Sequence, residues 1–435
     1  MSITTQLIPL VRQKPISQLD LSLAALFVLD AVANAYAGRQ SEPALRMLRW
    51  FRAQGDDAGR QALAMGAFTH ILETDDLHKA SVTHPGCVIV PAALAVATRE
   101  KSSAIDFLTA VLHGYEACCR VGNAVGPAHY RIWHNTATCG PYGSAMAVAS
   151  LMRLSDNQCI HALGNAGTQS SGLWQFLETG AMTKHLHAGR AAEAGVVAAE
   201  LAGVGFTGPP AILEGERGFF AAACPDANPS AVLDSPDAPW QLCQTSIKPW
   251  PSCRHTHPVI DAALELHDQL DGKEISRIEI ETYQAALDVC NRPQPESQYA
   301  AQFSLQHCVS VALLDGQVDF DSFGLDQRDH LAACRCKVSL ATSAGFQADY
   351  PEHWGSKVTV TTTDGIEFMA SRRDCKGDPE LPMDAGEMIA KSQVLLHRGG
   401  LEDGQIDEQI QKILALAQGE ADADLFREIT QDLLV

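Results

Sequence analysis

The chain has 435 residues, 46% hydrophobic and 19% charged, an ordinary globular make-up that is too long for one simple core. A formal charge of −20 argues against nucleic acid as a partner, because phosphate binding needs a basic surface, but it leaves room for a local basic pocket. No apolar run approaches the roughly 20 residues of a membrane span, and no charged and then apolar leader opens the chain. The 13 cysteines are odd in number and lack any CxxC spacing. They fit reduced thiols, with neither a zinc nor an iron–sulfur site, and so a cytoplasmic protein without a membrane partner is expected.

In chain order, Leu19 to Gly38 reads as a helix with Asp20 or Ser22 near its cap and Gly38 closing it. Helical apolar spacing continues over 41–51, 59–74, 91–98 and 102–125, and then over 135–154, 155–174 and 185–203. Alanine dominates this half and β-branched alternation is scarce, so an all-helical domain is expected. Residues 205–239 are rich in Gly, Pro and Asp and read as connections. A helix over 256–270 precedes the first clear alternation, Arg277 to Thr282. Two further strands are expected, at 336–341 and at 357–363, the latter turning at Asp364-Gly365 into IEFMA, and a helix at 300–314. Helical spacing returns from Met383. The expected fold is mainly α with a smaller, inserted, lid-like α+β domain. Residues 1–268 form the helical domain and 269–398 the α+β domain, while 399–435 return as helices to the first.

Five local clusters carry reactive side chains. Asp75, Asp76, His78 and His84 lie around a Pro-Gly turn at the end of an apolar helix, where a carboxylate can meet an imidazole; taken alone they read more readily as an ordinary polar helix end. His134 stands directly before a small-residue helix, whose dipole disfavours an imidazolium. Lys184 and His187, three apart, share a face if their segment is helical. Lys248, Cys253, Arg254 and His257 crowd a segment that Pro249 and Pro251 hold extended. His307 sits at a helix start in the second domain. No GxSxG, Walker or GxGxxG loop competes with these clusters.

In this order the clusters resemble the MmgE/PrpD family. The resemblance lies in DDLHKASVTHPG at 75–86, WHNTATCGPYGSAMAVASLM at 133–152 and the long GTQSSGLWQFLETGAMTKHLHAGRAA segment from 167. It continues in KPWPSCRHTHPVIDAALEL at 248–266, FSLQHCVSVALLDGQV at 303–318 and KVTVTTTDGIEF from 357. It implies a homodimer with its site between the two domains, a small polycarboxylate substrate, and neither metal nor organic cofactor. It also implies catalytic roles for His84, His134, Lys184 and Lys248, with Asp76 or His78 orienting a histidine. Asp75, His187, Cys253, Arg254, His257 and His307 are the expected substrate-binding residues. Cys253 and His307 depart from the family's decarboxylase pattern, which has histidine and tyrosine there.

The chemistry so implied is proton handling on carbon next to a carboxylate, where cations must stabilise the developing charge. The first expectation is a lyase like 2-methylcitrate dehydratase. The second is an epimerase of the iminodisuccinate type, and a cis-aconitate-type decarboxylase ranks behind both. A catalytically silent binding dimer is the alternative outside enzymology.

Overall fold

A computed structural model describes residues 2–53, 55–420 and 424–435. The chain divides into two units, Met1–Thr245 with Asp384–Val435, and Ser246–Met383. The first is helical: α1 (Ile3–Arg12), α2 (Gln18–Gly38), α3 (Glu42–Arg52), α4 (Ala58–His70), α5 (Gly86–Glu100), α6 (Ala104–Asn123), α7 (Asn135–Leu151), α8 (Asp156–Gly167) and α9 (Thr183–Gly203). Serines cap α1, α2, α3, α6 and α8, their side chains accepting from first-turn amides that have no partner within the helix.

The centre of this unit is built from α4, α5, α7 and α9, whose small residues let backbones approach closely. Gly66 of α4 faces Gly189 of α9, and a Cβ on Gly189 would clash with the Leu63 carbonyl. Ser144 of α7 donates to the Ala191 carbonyl of α9 at 2.7 Å. Helix α2 is long and apolar enough by composition to cross a membrane, which the sequence reading did not credit. Its apolar window is 83% buried within the unit, which marks it as a core helix.

Several helix ends differ from expectation, and the differences bear on the site. The helix expected over 59–74 stops at His70, after which Glu73 takes a left-handed conformation at φ 61°. The one expected over 155–174 ends at Gly167, and beyond it the chain turns through Gly172 at φ 122°. The helix expected from Pro91 begins at Gly86, and Pro91 is carried inside it.

The second unit begins at Ser246, not at 269, because α10 (His257–Leu270) packs on its sheet. The strands β1 (Ile275–Thr282), β2 (Val338–Thr342), β3 (Ser356–Thr362) and β4 (Glu367–Arg372) lie in the order β2-β1-β3-β4. The β1–β2 pair is parallel, with Ile278 opposite Val338; β1–β3 and β3–β4 are antiparallel. The expected Asp364-Gly365 turn joins β3 to β4, with Gly365 at φ 83°. Helix α11 (Leu305–Asp315) is shorter than the 300–314 expectation, since Ser304 leaves the helical path and caps it. Val309 of α11 joins Leu266, Ile278, Ile280, Val358 and Val360 in one core.

The chain then rejoins the helical unit through α12 (Ala385–Arg398), α13 (Asp403–Ala415) and α14 (Leu425–Leu434). The return falls at 384, ahead of the expected 399, because α12 packs on α2: Lys391 pairs with Asp30 at 2.5 Å and donates to the Thr74 carbonyl at 2.7 Å. The fold class is thus mainly α with a smaller α+β part.

Candidate active site

The helical unit gathers an imidazole cluster from four places in the chain. His70 ends α4, His84 precedes α5, His134 caps α7 and His187 lies in the first turns of α9. The His70 ring lies 4.8 Å from that of His84 and 5.7 Å from that of His134, the latter nearly parallel at 22°. His134 Nδ1 meets His187 Nδ1 at 3.3 Å, and the Trp174 ring covers His134 at 4.7 Å. All four imidazoles are at most slightly exposed, His70 not at all.

Short loops fix this arrangement. His78 N–H donates to the Thr83 carbonyl at 2.8 Å, closing a small hairpin that delivers His84 to the start of α5. His84 N–H is then held by Thr136 Oγ1 of α7 at 2.9 Å. His134 N–H donates to the Gly172 carbonyl at 3.0 Å, and a Cβ on Gly172 would sit 2.5 Å from that of Ala137 and 3.3 Å from the His187 ring. Only glycine therefore permits the loop to lie against both helices.

Two carboxylates and one ammonium share the cluster. Asp75 Oδ2 lies 2.6 Å from His70 Nδ1 and 3.4 Å from His84 Nδ1. Burial pushes Asp75 up, but the two facing imidazoles outweigh it and hold this carboxyl well below its ordinary range. Lys184, at the start of α9, forms a buried ion pair with Glu73, whose left-handed backbone aims its side chain at α9. Burial, then His70, Lys184 and His187, push His134 well below the ordinary imidazole value. Burial and His70 take His187 down to about 4 and His185 to about 3. At neutral pH these three rings are uncharged. For His134 the depression is chiefly burial, where the sequence had suggested the helix dipole.

Asp76 and His78, expected to orient a histidine by their side chains, are turned elsewhere. The Asp76 carboxyl accepts from Tyr115 Oη at 2.7 Å and from Gly86 N–H at 3.0 Å, and burial raises it to about 8. What Asp76 offers His84 is its main-chain carbonyl, 2.6 Å from Nδ1. His78 Nδ1 meets Ser81 Oγ at 2.8 Å inside the hairpin. The carboxylate beside the imidazoles is Asp75. His70 went unnoticed in the sequence as a histidine in an apolar helix; its spacing of five from Asp75 was the available signal. Glu73 and His185 lay within clusters already noted, but neither was singled out.

In the α+β unit the expected residues serve that unit's own structure. Arg254, expected at the substrate, is buried on Cys375 Sγ and on Asp378 at 2.5 Å. His257 Nε2 holds the Ser252 carbonyl at 3.2 Å, and His307 Nε2 the Ser322 carbonyl at 2.8 Å. Cys253 belongs to the hydrophobic core, and Lys248 is buried in the same segment. His255, not singled out, stacks flat on Trp354 at 4.5 Å.

Two groups among the described residues bring metal-type donor atoms within 4.8 Å of one another: His70 with Asp75 and His84, and His353 with Asp374 and Glu380. In each, an imidazole Nδ1 lies within 2.7 Å of a carboxylate oxygen, so a hydrogen bond accounts for the approach.

Family models agree with this architecture. The MmgE/PrpD N-terminal domain matches residues 7–231 and the C-terminal domain residues 250–416. The chain belongs to the MmgE/PrpD family. Among its relatives, human cis-aconitate decarboxylase is 30% identical over 332 residues, covering 71% of this chain and 66% of the relative, just under two thirds. The Aspergillus terreus cis-aconitate decarboxylase is 25% identical over 385 residues, covering 80% and 75%. A cis-aconitate decarboxylase-like protein of Aspergillus oryzae is 27% identical over 368 residues, covering 77% and 75%. These MmgE/PrpD relatives are lyase-type enzymes. Of the residues named by family resemblance, His84, His134, Lys184, His187 and Asp75 come together in the helical unit.

Proposed function

We propose that this protein is a lyase that acts next to a carboxylate of a small di- or tricarboxylate, abstracting a proton and expelling water as 2-methylcitrate dehydratase does. The observation that carries the reading is what the Nδ1 atoms of His84 and His134 meet. A carbonyl oxygen can only accept, so His84 Nδ1, at 2.6 Å from that of Asp76, must hold the hydrogen. With Nδ1 so occupied, Nε2 is the nitrogen of His84 that can take up and give back a proton, as a general base does. His134 and His187 share one hydrogen between their Nδ1 atoms. When His187 donates it, His134 carries its own hydrogen on Nε2 and can donate it in a hydrogen bond to a substrate hydroxyl.

The reaction then balances within the site. His84 Nε2 takes the proton from the carbon beside the carboxylate, the carbon–carbon double bond forms as the carbon–oxygen bond breaks, and the departing hydroxyl, held by the His134 Nε2–H, takes that proton from the His84 imidazolium and leaves as water. Lys184, oriented by Glu73, stabilises the charge that builds on the carboxylate as the proton leaves. No step calls for a metal or an organic cofactor.

A second reading, decarboxylation of a cis-aconitate-like acid, is favoured by the named relatives. It breaks a carbon–carbon bond to release carbon dioxide and needs an acid to protonate the carbon left behind, a role His134 could fill. Against it stand Cys253 and His307, which replace the histidine and tyrosine of the decarboxylase pattern and are taken up by their own unit.

Incubation with 2-methylcitrate and with cis-aconitate in deuterium oxide tests both. Growth of ultraviolet enoate absorbance from 2-methylcitrate supports dehydration, and release of carbon dioxide from cis-aconitate supports the second reading. Deuterium exchange with inversion and neither of those products makes the protein an epimerase. No exchange, elimination or carbon dioxide with any polycarboxylate sinks the reading.

A further inference from the structure

We propose that His70 is a positioning residue for the acid–base pair, acting on His84 through Asp75 and on His134 through ring contact. The proposal rests on the reaction read above, and it adds a residue that neither the sequence motifs nor the family resemblance singled out. His70 Nδ1 lies 2.6 Å from Asp75 Oδ2, and Asp75 is held ionised, so His70 donates. The same oxygen faces His84 Nδ1 at 3.4 Å, while His84 gives its hydrogen to the Asp76 carbonyl at 2.6 Å. Asp75 is thus drawn between two imidazoles, and the His70 bond holds it back from His84. Without that bond the carboxylate would compete with the Asp76 carbonyl for the His84 hydrogen and turn the ring, moving Nε2 off the reacting carbon.

The other nitrogen of His70 argues against a packing role. Nε2 is fully buried and has no hydrogen-bond partner among the described residues, a penalty that an apolar ring in the same space would avoid. What the imidazole adds over such a ring is the Nδ1 hydrogen. Its position at the end of α4, flat against His134 at 22° and edge-on to His84 at 61°, lets one side chain brace both partners.

Two substitutions separate positioning from packing. His70→Phe keeps a ring and removes the donor; His70→Asn keeps an N–H near the Nδ1 place and removes the ring. If His70 positions the pair, His70→Phe lowers kcat roughly hundredfold with KM little changed, and His70→Asn recovers about tenfold of the loss. In an Asp75→Asn background, adding His70→Phe then lowers kcat by less than about threefold, because the relay is already broken. The Nδ1–H resonance of His84 in ¹⁵N-edited spectra shifts in the Phe variant and stays in the Asn variant. That spectrum needs no turnover, so a wild-type protein inert to every polycarboxylate sinks the proposed reaction while the spectrum still decides His70. Wild-type behaviour of His70→Phe with a damaged His70→Asn, or a His84 resonance unmoved in both, overturns the proposal.

Discussion

In the helical unit His70, His84, His134 and His187 face one another and Asp75, whereas in the α+β unit Arg254, His257 and His307 are each turned onto acceptors of their own unit. Both sets are buried and both are built from the residue types that suggested chemistry in the sequence. The difference lies in the partner. A main-chain carbonyl or a dedicated carboxylate uses up a donor and makes a brace. An imidazole set against other imidazoles, as His134 and His187 are, is kept uncharged by burial and can exchange a proton with what it meets. His84 combines the two, since its Nδ1 is braced by the Asp76 carbonyl so that Nε2 is fixed as the basic nitrogen.

The largest effect expected from this contrast is catalytic. His84→Asn or His134→Asn should lower kcat by roughly 10²- to 10⁴-fold, while His257→Asn and His307→Asn should leave kcat within about threefold and lower the melting temperature instead. Steady-state kinetics beside thermal denaturation would break the comparison if His257→Asn proved as damaging to kcat as His84→Asn.

Next comes the buried pair of the α+β unit. Arg254→Met leaves Asp378 buried and uncompensated and should cost about 3–5 kcal/mol in urea unfolding, and a second change, Asp378→Leu, should recover most of it. A loss below about 1 kcal/mol for Arg254→Met would mean that the guanidinium is not the structural tie described.

A smaller loss should follow Gly189→Ala, where the added Cβ meets the Leu63 carbonyl and forces α4 and α9 apart. About 1–3 kcal/mol of stability is expected to go, together with kcat, because these two helices carry His70, Lys184 and His187. Retention of full activity would show that the α4–α9 spacing does not govern the cluster.

The finest prediction concerns pH. Asp76 is raised to about 8 from an unfolded value near the ordinary 3.8, so its contribution to stability is fully present below that lower value and is lost as pH rises through about 8. Asp76→Asn stays neutral throughout, and its melting temperature should therefore gain on the wild type between pH 5 and pH 9. In both units the buried histidines work oppositely. His78, His187 and His307, lowered to about 4, contribute stability that is present above about 6.5 and lost as pH falls towards 4. Parallel wild-type and Asp76→Asn curves between pH 5 and pH 8 would remove the protonated Asp76.

The amino-acid sequence by itself determined the helical half, the four-stranded α+β part, the return of the C-terminal helices and the motif histidines. Those features rest on periodicity and on local segments: Arg277 to Thr282 alternates, Asp364-Gly365 turns, and small residues such as Gly66 and Gly189 allow close helix packing. Helix α1 escaped notice, being a short amphipathic stretch at the start of the chain. Only the tertiary structure decided which polar groups meet. Asp75 and Asp76 are adjacent in sequence, yet the turn after α4 sends one carboxyl to two imidazoles and the other to Tyr115. His70 and Glu73 joined the site because a helix that could have run on stops at residue 70 and Glu73 goes left-handed. Lys184 is buried on Glu73 from 111 residues away. Such pairings depend on long-range backbone placement, and nothing in the local spacing of residues encodes them.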